Sequence, residues 1–277
     1  MTFRIDGPAI VSFSGGRTSA YMLARIVEAH GGALPPDVHV VFANTGREMP
    51  ATLDFVAECA ARWNVRVRWL EYTPEPPHWT EVSHNSASRA GEPFAALIDK
   101  RNFLPNPVAR YCTQELKIRP MRNFARACGW DHWTNVVGLR ADELWRVFRT
   151  TAAAERERWS IAAPLASAGI RKSDVLAWWA KQPFDLRLAG PHEGNCDGCF
   201  LKSRAGIMRM HRDHPERMRW WAEQEQQARD VAQSVDAAFF RADREPYARL
   251  AEIARDQGVL DLDHEEHDAE CGVACAA

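Results

Sequence analysis

A short apolar run, Ala9–Ser14, ends in Gly15-Gly16 and passes at once into a helical pattern through Tyr21, Met22, Leu23, Ile26 and Val27. No other feature constrains the fold as strongly. Gly31-Gly32 and Pro35-Pro36 break that helix, Val38–Ala43 reads as a second strand, and Pro50 opens a second helix through Leu53, Phe55, Val56 and Cys59. Val65–Leu70 is a third strand. Strands separated by single helices imply a parallel sheet covered on both faces. Regularity is lost from Thr73 to Arg110 among Pro74, Pro76, Pro77, Pro93, Pro105 and Pro107, and a long irregular stretch inside an enzyme reads as a functional loop region. A helix near Pro120–Ala127 and a strand near Thr134–Gly138 follow, and after Pro164-Leu165 the pattern is mainly helical. The expected fold is α/β, with a mostly parallel five-stranded sheet, flanking helices and a mainly helical C-terminal region. The expected organisation is a nucleotide-binding domain over residues 1–165, a helical region over 166–260, and a mobile acidic tail over 261–277.

The chain has 277 residues, 46% hydrophobic and 26% charged, which suits a globular protein rather than a disordered one. Its 35 basic residues against 37 acidic ones exclude a protein whose whole task is to coat nucleic acid, though not a local basic groove. No apolar stretch approaches the roughly 20 residues of a membrane span, and the N-terminus lacks a secretory core. Seven cysteines, an odd number without an export signal, lead us to expect reduced thiols in a cytoplasmic protein, used in metal binding or catalysis.

Three groups of residues carry chemistry. In the first, Ser12, Ser14, Gly15, Gly16, Arg17, Thr18 and Ser19 lie between the first strand and first helix. Glycines let the backbone approach a ligand, and free N–H groups with hydroxyls at a helix start suit a phosphate. A plain helix-capping turn fits the same pattern. In the second, Cys196-Asp197-Gly198-Cys199 is a C-x-x-C in a glycine turn, 84 positions after Cys112. Two thiolates so placed address one centre, and spacing alone suits zinc, with His192 or a tail histidine, or a redox dithiol. In the third, Cys271 and Cys275 sit in the tail after six acidic residues between Asp261 and Glu270. A thiol there reaches a substrate as a nucleophile must, whereas the acidic neighbours disfavour its thiolate. Cys59 and Cys128 read as buried structural thiols. Trp178-Trp179 and Trp220-Trp221 read as core or interface, and Lys202, Arg204, Arg209 and Arg212 as a solvated helix face.

Ser12–Leu23 (SFSGGRTSAYML) resembles the modified P-loop of the adenine nucleotide alpha-hydrolase superfamily, in the branch of phosphoadenosine phosphosulfate (PAPS) reductase-like proteins. Thr18 stands where pyrophosphatase members carry Asp. Phe42–Glu48 with Pro50 and Thr52 resembles the family's DTG…PET segment, which implies an adenosine site at Asn44, Thr45 and Gly46. Arg110-Tyr111-Cys112-Thr113 with Lys117 and Pro120 resembles its CC…K…P segment, with Tyr111 in one cysteine's place. Gly138–Glu143 with Arg146 resembles its anion-binding segment, which brings Gly138, Arg140, Glu143 and Arg146 to the nucleotide, and Pro164-Leu165 resembles its later PL. The resemblance covers about residues 8–200.

The resemblance implies a 4Fe–4S cluster on Cys112, Cys196 and Cys199, with Cys275 or Cys271 open as fourth ligand. It also implies an adenine nucleotide, ATP or a sulfonucleotide, with Mg2+ as a companion of the phosphates. Glu270-Cys271-Gly272 is similar to the ECG tail of sulfonucleotide reductases, so Cys271 would be the nucleophile, with Lys117 and Arg140 assisting catalysis. A thiol reductant such as thioredoxin would then release sulfite. Two other readings stay open: an ATP-dependent sulfurtransferase with a sulfur donor and a nucleic-acid or small-molecule acceptor, and a non-catalytic nucleotide-binding or redox-sensing protein. A homo-oligomer is compatible with each.

Overall fold

The computed structural model describes residues 2–231 and 238–256. Six strands form one sheet: β1 (Ala9–Ser12), β2 (Val38–Asn44), β3 (Val67–Glu71), β4 (Thr80–Val82), β5 (Trp133–Val136) and β6 (Trp159–Ala162), in the order β4-β3-β2-β1-β5-β6. β1, β2, β3 and β5 are the strands located in the sequence, β6 supplies the fifth of the expected sheet, and every pairing among these five is parallel. The sixth, β4, is an antiparallel addition on β3. It has three residues, two of them exposed, and Glu81 holds it through Arg68 at 3.0 Å. So short and polar a strand leaves no alternation in the sequence.

The first two strands each feed a helix: α1 (Arg17–Ala29) follows β1 and α2 (Pro50–Arg62) follows β2. The stretch from Thr73 to Arg110 is more ordered than expected, since besides β4 it holds α3 (Glu92–Arg101). Pro93 reads as a breaker, yet it occupies the first turn of α3, where a missing N–H breaks no helical bond. Further on come α4 (Tyr111–Thr113), a π-helical turn over Gln114–Ile118, and α5 (Arg119–Ala127), running on as one element. Next come α6 (Leu144–Ala154), α7 (Pro164–Ser167), α8 (Lys172–Trp179), α9 (Arg204–Asp213), α10 (Pro215–Val231) and α11 (Tyr247–Asp256). Among the described residues no helix is long and apolar enough to cross a membrane.

Alternation along β1 sends Val11 to one face and Ile10 to the other. Val11, Phe13, Met22, Leu23, Phe42, Leu53 and Val56 pack on the first face with Val175, Trp179, Phe184 and Leu186. The second face joins Ile10, Val41 and Leu70 to Met121 and Phe124 of α5. A separate core gathers Phe94, Leu97, Leu104 and Leu116 with Phe200, Ile207, Met218, Trp221, Phe240 and Tyr247. The expected boundary at residue 165 therefore does not coincide with a packing boundary. Chain beyond 165 completes the sheet's core, and chain from 94 to 116 completes the helical one. Glu225 ties that second core together by accepting the N–H groups of Phe240 and Tyr247 at 3.3 and 2.8 Å, and burial pushes its pKa up to about 7. Cys59 is fully buried in α2, as expected of a structural thiol, whereas Cys128, expected to be buried as well, is only half-buried at the end of α5. Trp179 and Trp221 are core residues, with Trp178 and Trp220 packed against the same cores.

Candidate functional site

Strand order reverses at β1: the next strands in sequence lie on one side of it, and β5 on the other. Ligands of open α/β sheets bind outside the carboxyl ends of strands at such a point, and here the turns after β1 and β5 meet. Gly15 has φ +78°, and a Cβ there would stand 2.6 Å from Thr52 Cγ2, so both backbone and space require glycine. Gly16 begins α1 without a side-chain cap, which leaves first-turn N–H groups facing the crevice. Ser19 Oγ fixes the loop: it accepts from Ser14 N at 3.2 Å, lies 2.9 Å from Ser14 Oγ, and donates to Gly16 O at 3.0 Å. From the β5 side Gly138 comes against Ser19, where a Cβ would stand 3.1 Å from Ser19 Cα. Buried Arg140 donates to Thr18 Oγ1 at 3.1 Å. It is also held by Asp142 and Glu143, and Glu143 in turn pairs with Arg146.

Arg17 behaves differently from its neighbours. Its guanidinium makes two bonds to Asp185, 2.7 and 2.8 Å, and a third to Leu186 O at 2.9 Å, while Trp179 Nε1 donates to its carbonyl. The side chain braces the loop from α8's side, and only its backbone N–H is offered to the crevice.

After β2, Asn44 donates to Glu71 Oε1 at 2.6 Å and to Ser88 O at 2.9 Å, and its Oδ1 accepts from Gly46 N at 3.3 Å. Thr45 bonds Glu48 through N and Oγ1, and its Oγ1 also lies 3.4 Å from Cys196 Sγ. Glu48 and Cys196 form an antiparallel bridge, while Asp197 N donates to Arg47 O at 2.8 Å. The second-strand segment and the C-x-x-C turn are therefore one structural unit. Asp197, fully buried, is its centre: it accepts from Arg47, Arg217, Trp221 Nε1 and Gly198 N. Sequence reasoning passed over Arg47, Glu71, Asp197 and Arg217. The one available signal was an acidic residue between the two cysteines, inside a turn that otherwise reads as a metal knuckle.

Cys112, Cys196 and Cys199 line one cavity, together with Thr45, Phe94, Thr113, Leu116, Lys117, Phe200 and Trp221. The π-helical turn directly after Cys112 carries Lys117 to this wall, and such wide turns recur at functional sites. Burial pushes the Cys196 thiol up, as does Glu48, while Lys117 opposes them. Among the described residues no three His, Cys, Asp or Glu side chains gather as around a single ion. His192 is bonded to Asp213 at 3.2 Å and is absent from the cavity wall. Three sulfur donors, with no imidazole or carboxylate beside them in the wall, are a set that could hold a thiolate-bound metal centre. Tyr111, in the place of a second cysteine, spends its hydroxyl on Phe103 O. Lys202 is buried and donates to Gly194 O, so it leaves the expected helix face, where Arg204 pairs with Glu245 and Arg212 with Asp213. Cys271 and Cys275 lie outside the described residues.

The family model of the phosphoadenosine phosphosulfate reductase domain matches residues 8–167. The chain belongs to that family. That family is one of nucleotide-linked sulfur chemistry. Over 210 residues it is 33% identical to an uncharacterized nin region protein of Escherichia phage lambda, covering 72% of this chain and 67% of that protein. Over 140 residues it is 26% identical to an uncharacterized protein of Methanocaldococcus jannaschii, covering 50% of this chain but 24% of that one. It is also similar to the crystal structure of phosphoadenylyl-sulfate (PAPS) reductase from Candida auris in a phosphate complex. That match has a TM-score of 0.42 and 16% identity, over 65% of this chain and 75% of that one.

A family member with this loop should lose its nucleotide on Gly16→Val without losing its fold. Gly16 has φ −96° and ψ 160°, which valine adopts readily, and the nearest atom to an added Cβ is Ser14 Oγ at 3.8 Å. The branched side chain then fills the path of a phosphate. Calorimetric titration with an adenine nucleotide should show at least about a tenfold weaker affinity with an unchanged melting curve. Equal affinity in the two proteins would reduce the loop to a turn.

Proposed function

We propose that the chain is a thiol-dependent reductase of an adenine sulfonucleotide, with a 4Fe–4S cluster held by Cys112, Cys196 and Cys199. The observation that carries this reading is the contact between Arg140 and Thr18. It sets a cation against the glycine loop at the position where a metal-binding carboxylate would stand in an ATP-cleaving relative, so the site suits anion binding more than metal-assisted release of pyrophosphate. In the proposed roles, Ser12, Ser14, Gly15, Gly16, Thr18 and Ser19 hold the phosphate, with Gly138, Glu143 and Arg146 behind Arg140. Asn44, Thr45 and Gly46 line the adenosine, and Lys117 faces the sulfate from the thiol cavity. When bound, the cluster would be net anionic with its thiolate ligands and would pair with the Lys117 ammonium on the same wall, which is the group that offers positive charge to the sulfate.

The Cys271 thiolate attacks the sulfate sulfur, and the sulfur–oxygen bond to the nucleotide phosphate breaks. The nucleotide leaves with that electron pair, and the cysteine carries the sulfonate. A dithiol reductant such as thioredoxin then attacks Cys271 Sγ, sulfite leaves, and the two electrons come from the dithiol, which ends as a disulfide after a second exchange. Anaerobic protein with a dithiol and a sulfonucleotide should yield sulfite, and Cys271→Ser should reduce the yield to background. The sulfurtransferase reading makes the opposite forecast: AMP and pyrophosphate from ATP, sulfur in an acceptor, and Cys271 dispensable.

A further inference from the structure

Glu71 is a buried carboxylate to which the proposed reaction gives no task. It ends β3 directly opposite Asn44, the last residue of β2, where open α/β sheets receive their ligands. Its Oε1 accepts from Asn44 Nδ2 at 2.6 Å and from Ser88 N at 2.7 Å, and Oε2 accepts from Ser88 Oγ at 2.8 Å. Asn44 gives its other amide hydrogen to Ser88 O at 2.9 Å. N, Oγ and O of Ser88 are thus all held by two side chains at the strand ends. The residue so pinned belongs to a covering segment. Asn44 and Thr45 are 0 and 1% exposed, and Gly46 is buried as well. Segment 88–91 lies against them: a Cβ on Gly46 would stand 3.0 Å from Gly91 Cα, and Arg47 Nη1 donates to Ala90 O at 3.4 Å. Asn44 has no donor left for a base, since both its amide hydrogens are spent. Ser88 is half-buried and Ala90 exposed, so a nucleoside arriving at these strand ends meets the covering segment first.

We propose that Glu71 is a positioning residue for the adenosine: it pins Ser88, and with it the 88–91 segment that forms a wall for the base. The inference rests on the reading that an adenine nucleotide occupies the crevice, and adds what holds its base end in place. The phosphate end is built separately, because Ser14, Gly16 and Ser19 are bonded to one another and not to Glu71, Asn44 or Ser88. Loosening Glu71 should therefore cost the base and spare the phosphates. The bonds matter here rather than the charge. A glutamine oxygen can accept from Asn44 and Ser88 N, while the glutamine amide donates to Ser88 Oγ.

The test is calorimetric titration of the full chain with AMP and, as a probe of the glycine loop alone, with inorganic pyrophosphate. Glu71→Ala should weaken AMP binding by at least about tenfold and leave pyrophosphate affinity unchanged. Glu71→Gln should restore most of the AMP affinity. Ser88→Ala removes one bond at a half-buried position and should weaken AMP by about threefold to tenfold, which decides the matter if Glu71→Ala does not fold. Equal AMP affinity in wild type and the alanine variants would overturn the proposal. So would parallel losses of AMP and pyrophosphate, the mark of general structural support, or a glutamine variant as weak as the alanine one. Tighter AMP binding on Ser88→Ala would overturn it too, because the segment would then be a lid that the nucleoside must displace. A wild type that takes pyrophosphate but not AMP would sink the adenine-nucleotide reading itself, and this inference with it.

Discussion

Asp197→Ala is expected to lower the stability of the chain by about 3–5 kcal/mol, a large share of the ordinary margin of about 5–15 kcal/mol. The carboxylate is fully buried between two cations: Arg47 Nη2 lies at 2.6 Å and Arg217 Nε at 2.7 Å. It also accepts the Trp221 indole N–H at 2.7 Å and the Gly198 N–H at 2.8 Å. Burial, with Arg217 alongside, pulls the pKa of Arg47 down, and Asp197 is the main group that opposes it. Removing the carboxylate leaves Arg47 with the carbonyl of Arg217 and the ring face of Trp220, neither of which neutralises it. Breaking a buried pair from one side is costly because the other charge stays behind. Asp197→Asn keeps the shape and some of the hydrogen bonds, so it should fall between the two proteins. Urea unfolding of all three gives the comparison. A loss under about 1 kcal/mol in the alanine variant, the size of an exposed ion pair, would mean that the turn is held by packing instead.

That prediction concerns a residue the sequence concealed, and the reason is physical. Most of the sheet was legible because its parallel strands are local apolar runs: Val38–Ala43 covers β2 to within one residue, and Thr134–Gly138 overlaps β5. β6 was harder, since its four residues follow a charged stretch and none of them is fully buried. α3 was lost because Pro93 marks either a break or a first turn, and only the surrounding contacts decide between them. The glycine loop was legible as a strand-to-helix turn, yet not the direction of Arg17, because Asp185 lies 168 residues away. The same holds for Arg47 and Asp197, 150 residues apart. Local sequence carries period, capping and turn chemistry, whereas long-range charge pairs enter only when the chain has closed. The three cysteines are the exception. The family resemblance put Cys112 with the C-x-x-C pair, and the cavity that all three line is where the remaining large effect is expected.

Cys112→Ala and Cys196→Ala are each expected to abolish the iron–sulfur cluster. Anaerobically purified chain should be brown and should contain iron with acid-labile sulfide, and either variant should lose both. Each removes one of the three sulfur donors that line the cavity, and iron–sulfur clusters depend on their thiolate ligands. The fold should survive, because both residues are only partly buried and their neighbours include Phe94, Leu116 and Phe200, which supply the packing. Coincident urea transitions for the iron-free wild type and the variants would separate cluster loss from unfolding. The tail cysteines complete the experiment: Cys275→Ser loses iron only if it supplies the fourth thiolate. If Cys271→Ser loses sulfite formation but keeps its iron, the nucleophile and the cluster are separate. A colourless protein holding one zinc, released by Cys196→Ala and by His192→Ala alike, would replace the cluster with the knuckle that spacing alone suggests. His192 stands outside the cavity wall and is bonded to Asp213, so the expected result of His192→Ala is unchanged iron.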